Sequence, residues 1–286
     1  FHSQTNSVKL AVEDYEIDRK KLLEDIVRKA EDKGVEFFFN AAFKGFEKNL
    51  TGYDIFVGNE VISGIDYIIG ADGALSDVAK RAGLWQNRNF WLAVQTKIPR
   101  TRLKIKIDSE KYRVFFIPKF GHYSYAFASR KYIVAGTVAS PETAKERFKE
   151  FAAFLGVGKC RIESALIPLP RKIKWRRGNI FLSGDAACQT KFSGGGIIPA
   201  IESAFALAEL IVDGKTKRFN ELKREILFHQ LITRVLGRMN ANDFDNLFDI
   251  AKKSKIALKS RDELRKWALG LALRNPRLIR LLPKLI

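Results

Sequence analysis

Gly184-Asp185-Ala186-Ala187-Cys188, followed closely by Gly194-Gly195-Gly196-Ile197, decides the fold when read beside Gly70-Ala71-Asp72-Gly73 more than a hundred residues earlier. Each segment sets an aspartate among small residues, directly after a run with the character of a buried strand: Tyr67-Ile68-Ile69 and Ile180-Phe181-Leu182. A carboxylate so placed stands at the C-terminal end of a strand, where open α/β folds bind their ligands. It can accept hydrogen bonds from sugar hydroxyls, and flanking glycines let a bulky group approach the backbone. Three glycines opening a helix present free N–H groups to an anion or an electron-rich ring edge.

Working outward, residues 8–13 alternate like a strand, and Asp18 is placed to cap a helix with Leu22, Leu23, Ile26, Val27 and Ala30 on one face, ended by Gly34. Short strands are predicted over 35–39, 42–47, 53–57 and 60–62, then an apolar strand over 65–69 and a short helix over 76–82. From Phe90 to about Trp175 the pattern is strand-rich and aromatic, with one amphipathic helix near 141–155. A long apolar helix is predicted from Ile197 to Val212, and residues 216–286 read as helical and basic.

The fold class expected is therefore α/β: a partial Rossmann-like cofactor domain interrupted by a β-rich substrate domain, with a helical C-terminal tail. The boundaries expected are residues 1–88 and 178–215 for the cofactor domain, 89–177 for the β-rich domain and 216–286 for the helical region.

Composition narrows the function classes. The 286 residues include 46% hydrophobic and 29% charged residues, as in an ordinary globular protein, yet the formal charge is +19. That excess points to an anionic partner such as a phospholipid surface, a phosphorylated substrate or nucleic acid. No nucleic-acid reader motif accompanies it, so nucleic acid ranks last. Two cysteines, Cys160 and Cys188, make no disulfide framework, and three scattered histidines argue against a metal site. No stretch of about 18 uncharged apolar residues predicts a membrane span.

Asp66-Tyr67-Ile68-Ile69-Gly70-Ala71-Asp72-Gly73-Ala74-Leu75-Ser76 resembles the ADG-x-x-S segment of the large flavoprotein group that includes aromatic hydroxylases, and Gly184-Asp185-Ala186-Ala187 resembles that group's second FAD motif. Cys188-Gln189-Thr190-Lys191 running into Gly194-Gly195-Gly196-Ile197-Ile198-Pro199 resembles the geranylgeranyl reductase branch, as do Ile17-Asp18-Arg19 and Gly34-Val35-Glu36. The resemblance spans about residues 8–215. It implies that Asp185, with Gly184 and Ala186, holds the ribityl chain of FAD. It also implies that the Gly194, Gly195, Gly196 and Ile197 backbone lines the isoalloxazine, that Asp72 and Gly73 lie near the pyrophosphate, and that Arg19 sits near the cofactor.

In that branch a Tyr-x-Trp-x-Phe-Pro segment walls a prenyl tunnel; here Tyr123-Ser124-Tyr125-Ala126-Phe127-Ala128 stands in its place, with Tyr125 for tryptophan and Ala128 for proline. Tyr123, Tyr125 and Phe127 alternate onto one strand face, which suits either an extended hydrocarbon or a sheet core. The family's G-x-G-x-x-G unit has no counterpart in the chain. By analogy roughly 70–90 residues, two βα units and a connection, are expected ahead of residue 1, and this polypeptide alone is expected to bind FAD weakly or not at all.

The function implied is an FAD-dependent reductase that saturates C=C bonds of geranylgeranyl chains in membrane-lipid biosynthesis, supplied with electrons by NAD(P)H or ferredoxin. A cytoplasmic protein, seated peripherally on an anionic membrane through its basic tail, is expected. An FAD-dependent monooxygenase and a non-catalytic fragment of such a flavoprotein are the alternatives. No residue stands out as proton donor; Cys188 and His122 read first as structural.

Overall fold

Asp18 starts the first helix: its carboxylate accepts from the Lys20 and Lys21 amides and caps Arg19–Glu31 (α1). The computed structural model describes residues 1–9, 17–99, 111–129 and 132–253. Most of the strand expected over 8–13, and every tail cation beyond Lys253, lie outside the described residues. α1 forms where the 3.6-residue spacing predicts it, but none of its residues is buried, and Leu23 is 58% exposed.

Residues 35–39 form no strand; Phe37 and Phe39 instead stack on each other, ring centroids 5.7 Å apart. Phe43–Lys48 (β1), Tyr53–Val57 (β2) and Glu60–Ile65 (β3) make a three-stranded antiparallel meander. The strand expected over 65–69 is divided, because Ile65 closes β3 in this meander while Ile68–Gly70 (β4) enters a second sheet. Asp77–Arg81 (α2) follows, its Ala79 amide donating to Ser76 Oγ at the cap.

Phe90–Pro99 (β5), Arg113–Phe115 (β6), Tyr123–Ala128 (β7), Tyr132–Ala139 (β8) and, after the helix Ala144–Phe154 (α3), Glu163–Pro168 (β9) form an antiparallel sheet in the order β6-β7-β8-β5-β9. Its alternation separates two faces. One packs Ile98, Phe115, Ala126, Ile133 and Ala135 against Phe151 and Leu155 of α3 and its cap. The other carries Tyr123, Tyr125 and Phe127 opposite Val138, Gly136 and Val134.

Arg176–Arg177 (β10) and Ile180–Leu182 (β11) return the chain to β4, giving the order β10-β11-β4 with β11 and β4 parallel. Ile180, Phe181 and Leu182 are buried on both faces, as a parallel strand requires, and each large apolar side chain so removed from water contributes about 1.5–3 kcal/mol. β4 is an edge among the described residues; Ile69 is 48% exposed and Tyr67 beside it is also exposed.

Ile197–Asp213 (α4), Lys217–Leu236 (α5) and Ala241–Lys253 (α6) complete the fold. α4 and α5 cover the β4–β11 core with Ala206, Leu207, Phe219, Leu222 and Ile226. α6 lays Phe244 on Phe116, ring centroids 5.2 Å apart. No described helix is long and apolar enough to cross a membrane.

Candidate functional site

The parallel pairing of Leu182 with Gly70 sets the two aspartate turns side by side at the C-terminal ends of β11 and β4. The Ser183 amide donates to the Gly70 carbonyl at 2.9 Å, so the ladder continues one residue past the strands before the chain turns. Gly70 must lack a side chain there: a Cβ would stand 2.8 Å from Val78 and 2.9 Å from Leu182.

After Ser183, residues Gly184–Ala187 form a tight 3-10 turn that opens on Gly184 at φ 60° and closes on Cys188 in the left-handed region at φ 54°. Gln189 is wholly buried, and its Oε1 accepts the Gly184 amide at 2.7 Å. Ser183 Oγ donates to Ser203 Oγ of α4 at 3.0 Å, and Thr190 Oγ1 to the Pro168 carbonyl at 2.6 Å. Three side chains that carry no expected role thus fix the turn to its surroundings.

Asp185 is the exception. Its half-buried carboxylate has no hydrogen-bond or ion-pair partner among the described residues, and burial holds its pKa above the ordinary aspartate value. It faces Gly196, where a Cβ would come within 2.8 Å of Oδ1. No side chain caps the N-terminus of α4, and a Cβ on exposed Gly195 would meet nothing closer than Ser193 Oγ at 3.8 Å. An open acceptor, an uncapped 17-residue helix and a side-chain-free approach meet here. They match what a polyhydroxylated chain joined to an electron-rich ring requires.

Asp72 behaves differently. Its Oδ1 accepts from Ser76 Oγ at 2.5 Å and its Oδ2 from the Val78 amide at 3.0 Å, so both oxygens serve their own turn. Gly73, at φ 82°, has open space where a Cβ would be. Arg19 lies on the exposed first turn of α1, with no hydrogen bond or ion pair to either aspartate turn among the described residues. Ile197 is exposed at the start of α4.

The aromatic strand reaches this site. Tyr123 donates its phenolic hydrogen to the Ser193 carbonyl at 2.5 Å, directly before the three glycines, and Gly194 sits against Ile167 of β9. The Tyr125 ring lies over Gly136 and donates to Gln95 Oε1 at 2.8 Å. Tyr112 stacks on both Tyr125 and Phe127. Trp91 meets Tyr123 edge-on and His122 at 4.8 Å. Burial raises the Tyr123 phenol well above its usual value and pushes Tyr125 up to about 12. Burial lowers the His122 pKa, so this wall is uncharged at neutral pH. Cys188 is buried, and its thiol is raised chiefly by desolvation.

Sequence reasoning did not single out Trp91, Gln95 or Ser193. They stand outside any spaced motif, and only the pairing of distant strands brings them to the site. No group of three metal-binding side chains occurs among the described residues.

No family model matches the chain. It is 34% identical over 164 residues to the chloroplastic geranylgeranyl diphosphate reductase of Oryza sativa subsp. japonica, covering 52% of this chain and 34% of that protein. Among solved structures it is similar to PqsL of P. aeruginosa in complex with 2-aminobenzoylacetate (TM-score 0.57, 17% identity, 81% of this chain and 71% of that one). It is similar also to the flavin-dependent halogenase CmlS (TM-score 0.53, 16% identity, 76% and 44%). The anhydrotetracycline hydroxylase OxyS of Streptomyces rimosus matches with TM-score 0.52 at 17% identity, over 93% of this chain and 55% of that one. The chain therefore has a mixed α/β fold shared with flavin-dependent hydroxylases and halogenases. It spans about a third of the length of the reductase that it matches.

Proposed function

We propose that the protein is an FAD-dependent oxidoreductase that reduces carbon–carbon double bonds in a geranylgeranyl-type chain. The observation that carries the flavin assignment is the unpartnered Asp185 carboxylate, held at a strand end opposite Gly196 and the open N-terminus of α4. Flavin-dependent proteins of the same fold and the partial identity to a geranylgeranyl diphosphate reductase support it.

Asp185, Gly195, Gly196 and the first amides of α4 would hold the ribityl chain and the ring edge. The bound flavin supplies hydride transfer at N5. This chain's own residues orient and shield. Trp91, Tyr123, Tyr125 and Phe127 offer a hydrocarbon an aromatic wall, and both tyrosine hydroxyls already donate elsewhere, so neither presents a free donor to an apolar chain. The Tyr123–Ser193 bond ties that wall to the glycine turn, which sets the distance between substrate and cofactor.

The absorption spectrum and FAD titration of the protein test the cofactor. Flavin binding that weakens in D185N is expected; equal affinity in both would overturn the assignment. Anaerobic reduction of a prenyl substrate, followed by loss of alkene protons, tests the reaction. A second reading, hydroxylation, is favoured by the fold shared with the hydroxylases; it requires oxygen consumption coupled to the product, which the reductase does not. A peripheral seat on anionic membrane, through the basic tail, is a further part of the proposal, and co-sedimentation with anionic against neutral vesicles decides it.

A further inference from the structure

A cavity of about 240 Å³ lies where one end of the five-stranded sheet meets the α5–α6 junction, and no residue of either aspartate turn lines it. From the sheet side it is lined by His122 ahead of β7, Ser140 after β8, and Thr143 and Arg147 at the start of α3. Met239 and Phe244 line it from the helical side.

The polar groups around this space are donors in want of an acceptor. Arg147 is the one permanent cation among the described lining residues, and no carboxylate stands among them. Its Nη1 donates to the Lys119 carbonyl at 3.3 Å, which leaves the other guanidinium hydrogens unused. Glu150, one turn along α3, is held by Lys119 at 2.9 Å. The Ser140 and Thr143 hydroxyls lie 2.9 Å apart, and whichever of them donates, the other keeps a hydrogen to offer. The His122 imidazole rests against Trp91, ring centroids 4.8 Å apart, and has no hydrogen-bond partner among the described residues. Burial lowers its pKa, so at neutral pH it brings one N–H rather than a second charge.

We infer that this cavity binds a small organic carboxylate with an apolar body. The guanidinium fork of Arg147 can take both oxygens of a carboxylate, while a hydroxyl and the imidazole reach the remaining lone pairs. Met239 and Phe244 offer the rest of the guest a thioether and a ring. One cation balances one negative charge; a phosphate would bring a second charge and nothing for the apolar wall. The volume lies slightly below that of drug-sized sites and limits the guest to about the dimensions of benzoate. An occupant would brace the β-rich sheet against the α5–α6 junction, because the lining is drawn from both. None of this depends on the flavin reading.

The probe is benzoate, titrated by calorimetry and by the thermal midpoint of the protein. Saturable binding at one site is expected, with a rise in the midpoint. Benzamide, the uncharged counterpart, and the variant R147M are each expected to bind roughly 10- to 100-fold more weakly. H122F keeps a ring against Trp91 and loses the N–H, so a roughly 2- to 10-fold loss is expected there. D185N should bind benzoate as the parent does. Absence of saturable binding by the parent would overturn the site, as would benzamide or inorganic phosphate binding as tightly as benzoate. Undiminished binding by R147M would place the carboxylate elsewhere, and loss in D185N would place it at the flavin turn; either sinks the inference. Should R147M fail to fold, H122F decides alone, and unchanged affinity in that variant rejects the site.

Discussion

The Tyr123 phenol donates to the Ser193 carbonyl at 2.5 Å, and this one bond joins the aromatic face of the five-stranded sheet to the glycine turn ahead of α4. Y123F keeps the ring and removes the tie. A loss of about 1 kcal/mol in stability is expected from chemical denaturation. A larger effect is expected on turnover than on flavin affinity, because the wall and the turn lose their fixed separation. Unchanged turnover would show that the bond is structural only.

Asp185 gives the protein a pH signature. Burial raises its folded-state pKa above the ordinary 3.8, so the native state holds the proton more tightly than the unfolded chain does. Without flavin, the contribution of this group to stability is therefore fully present below the ordinary value and is lost as pH climbs from there through the raised one. Above that window D185N is expected to be more stable than the parent by about 0.5–1 kcal/mol, and to bind FAD roughly 10- to 100-fold more weakly. Flavin affinity of the parent should fall as pH drops through the same window and stay flat in D185N, which fluorescence titration at several pH values checks.

Gly136 is a packing requirement. A Cβ there would collide with the Tyr125 ring, so G136A is expected to cost about 1–3 kcal/mol. Most of that loss should disappear in a Y125L background, where the ring is gone. Tyr125 also titrates late: its pKa of about 12 keeps the folded phenol neutral after the unfolded one has ionised near 10. Stability from this group is complete below pH about 10 and is lost between about 10 and 12, which melting curves across that range test.

The two thiols should differ. Cys160 is partly accessible and Cys188 buried, with desolvation raising its pKa against the opposing pull of Arg88 and Arg171. Under native conditions a thiol reagent is expected to modify one cysteine quickly, and both only after unfolding. Rapid modification of Cys188 would mean that the two arginines outweigh its burial.

The strand-end aspartates were legible because small residues behind an apolar run describe a turn at a sheet's edge with little ambiguity. Helix α1 was equally legible from Asp18 and its spacing, yet the burial of its apolar stripe was not, since spacing says nothing about whether a partner surface exists. The strand expected over 65–69 failed for a related reason: apolar character does not say that Ile65 and Ile68 belong to different sheets. At the site, Asp185 and Asp72 look alike in sequence. Only the structure distinguishes the open carboxylate from the one committed to Ser76 and Val78.

The edge of β4, unpaired among the described residues, has a colloidal consequence. Its N–H and C=O groups, with exposed Tyr67 and Ile69 alongside and the stripe of α1 that the described residues leave uncovered, make an adhesive surface of the kind that recruits another strand. The formal charge of +19 opposes this, since like-charged copies repel before their edges meet. Salt screens that repulsion over distances of about 8 Å at physiological strength while leaving apolar attraction intact. The protein should therefore stay dispersed in dilute buffer and self-associate as salt is added. Light scattering across a salt series would display this inversion of the usual behaviour of charge-paired assemblies.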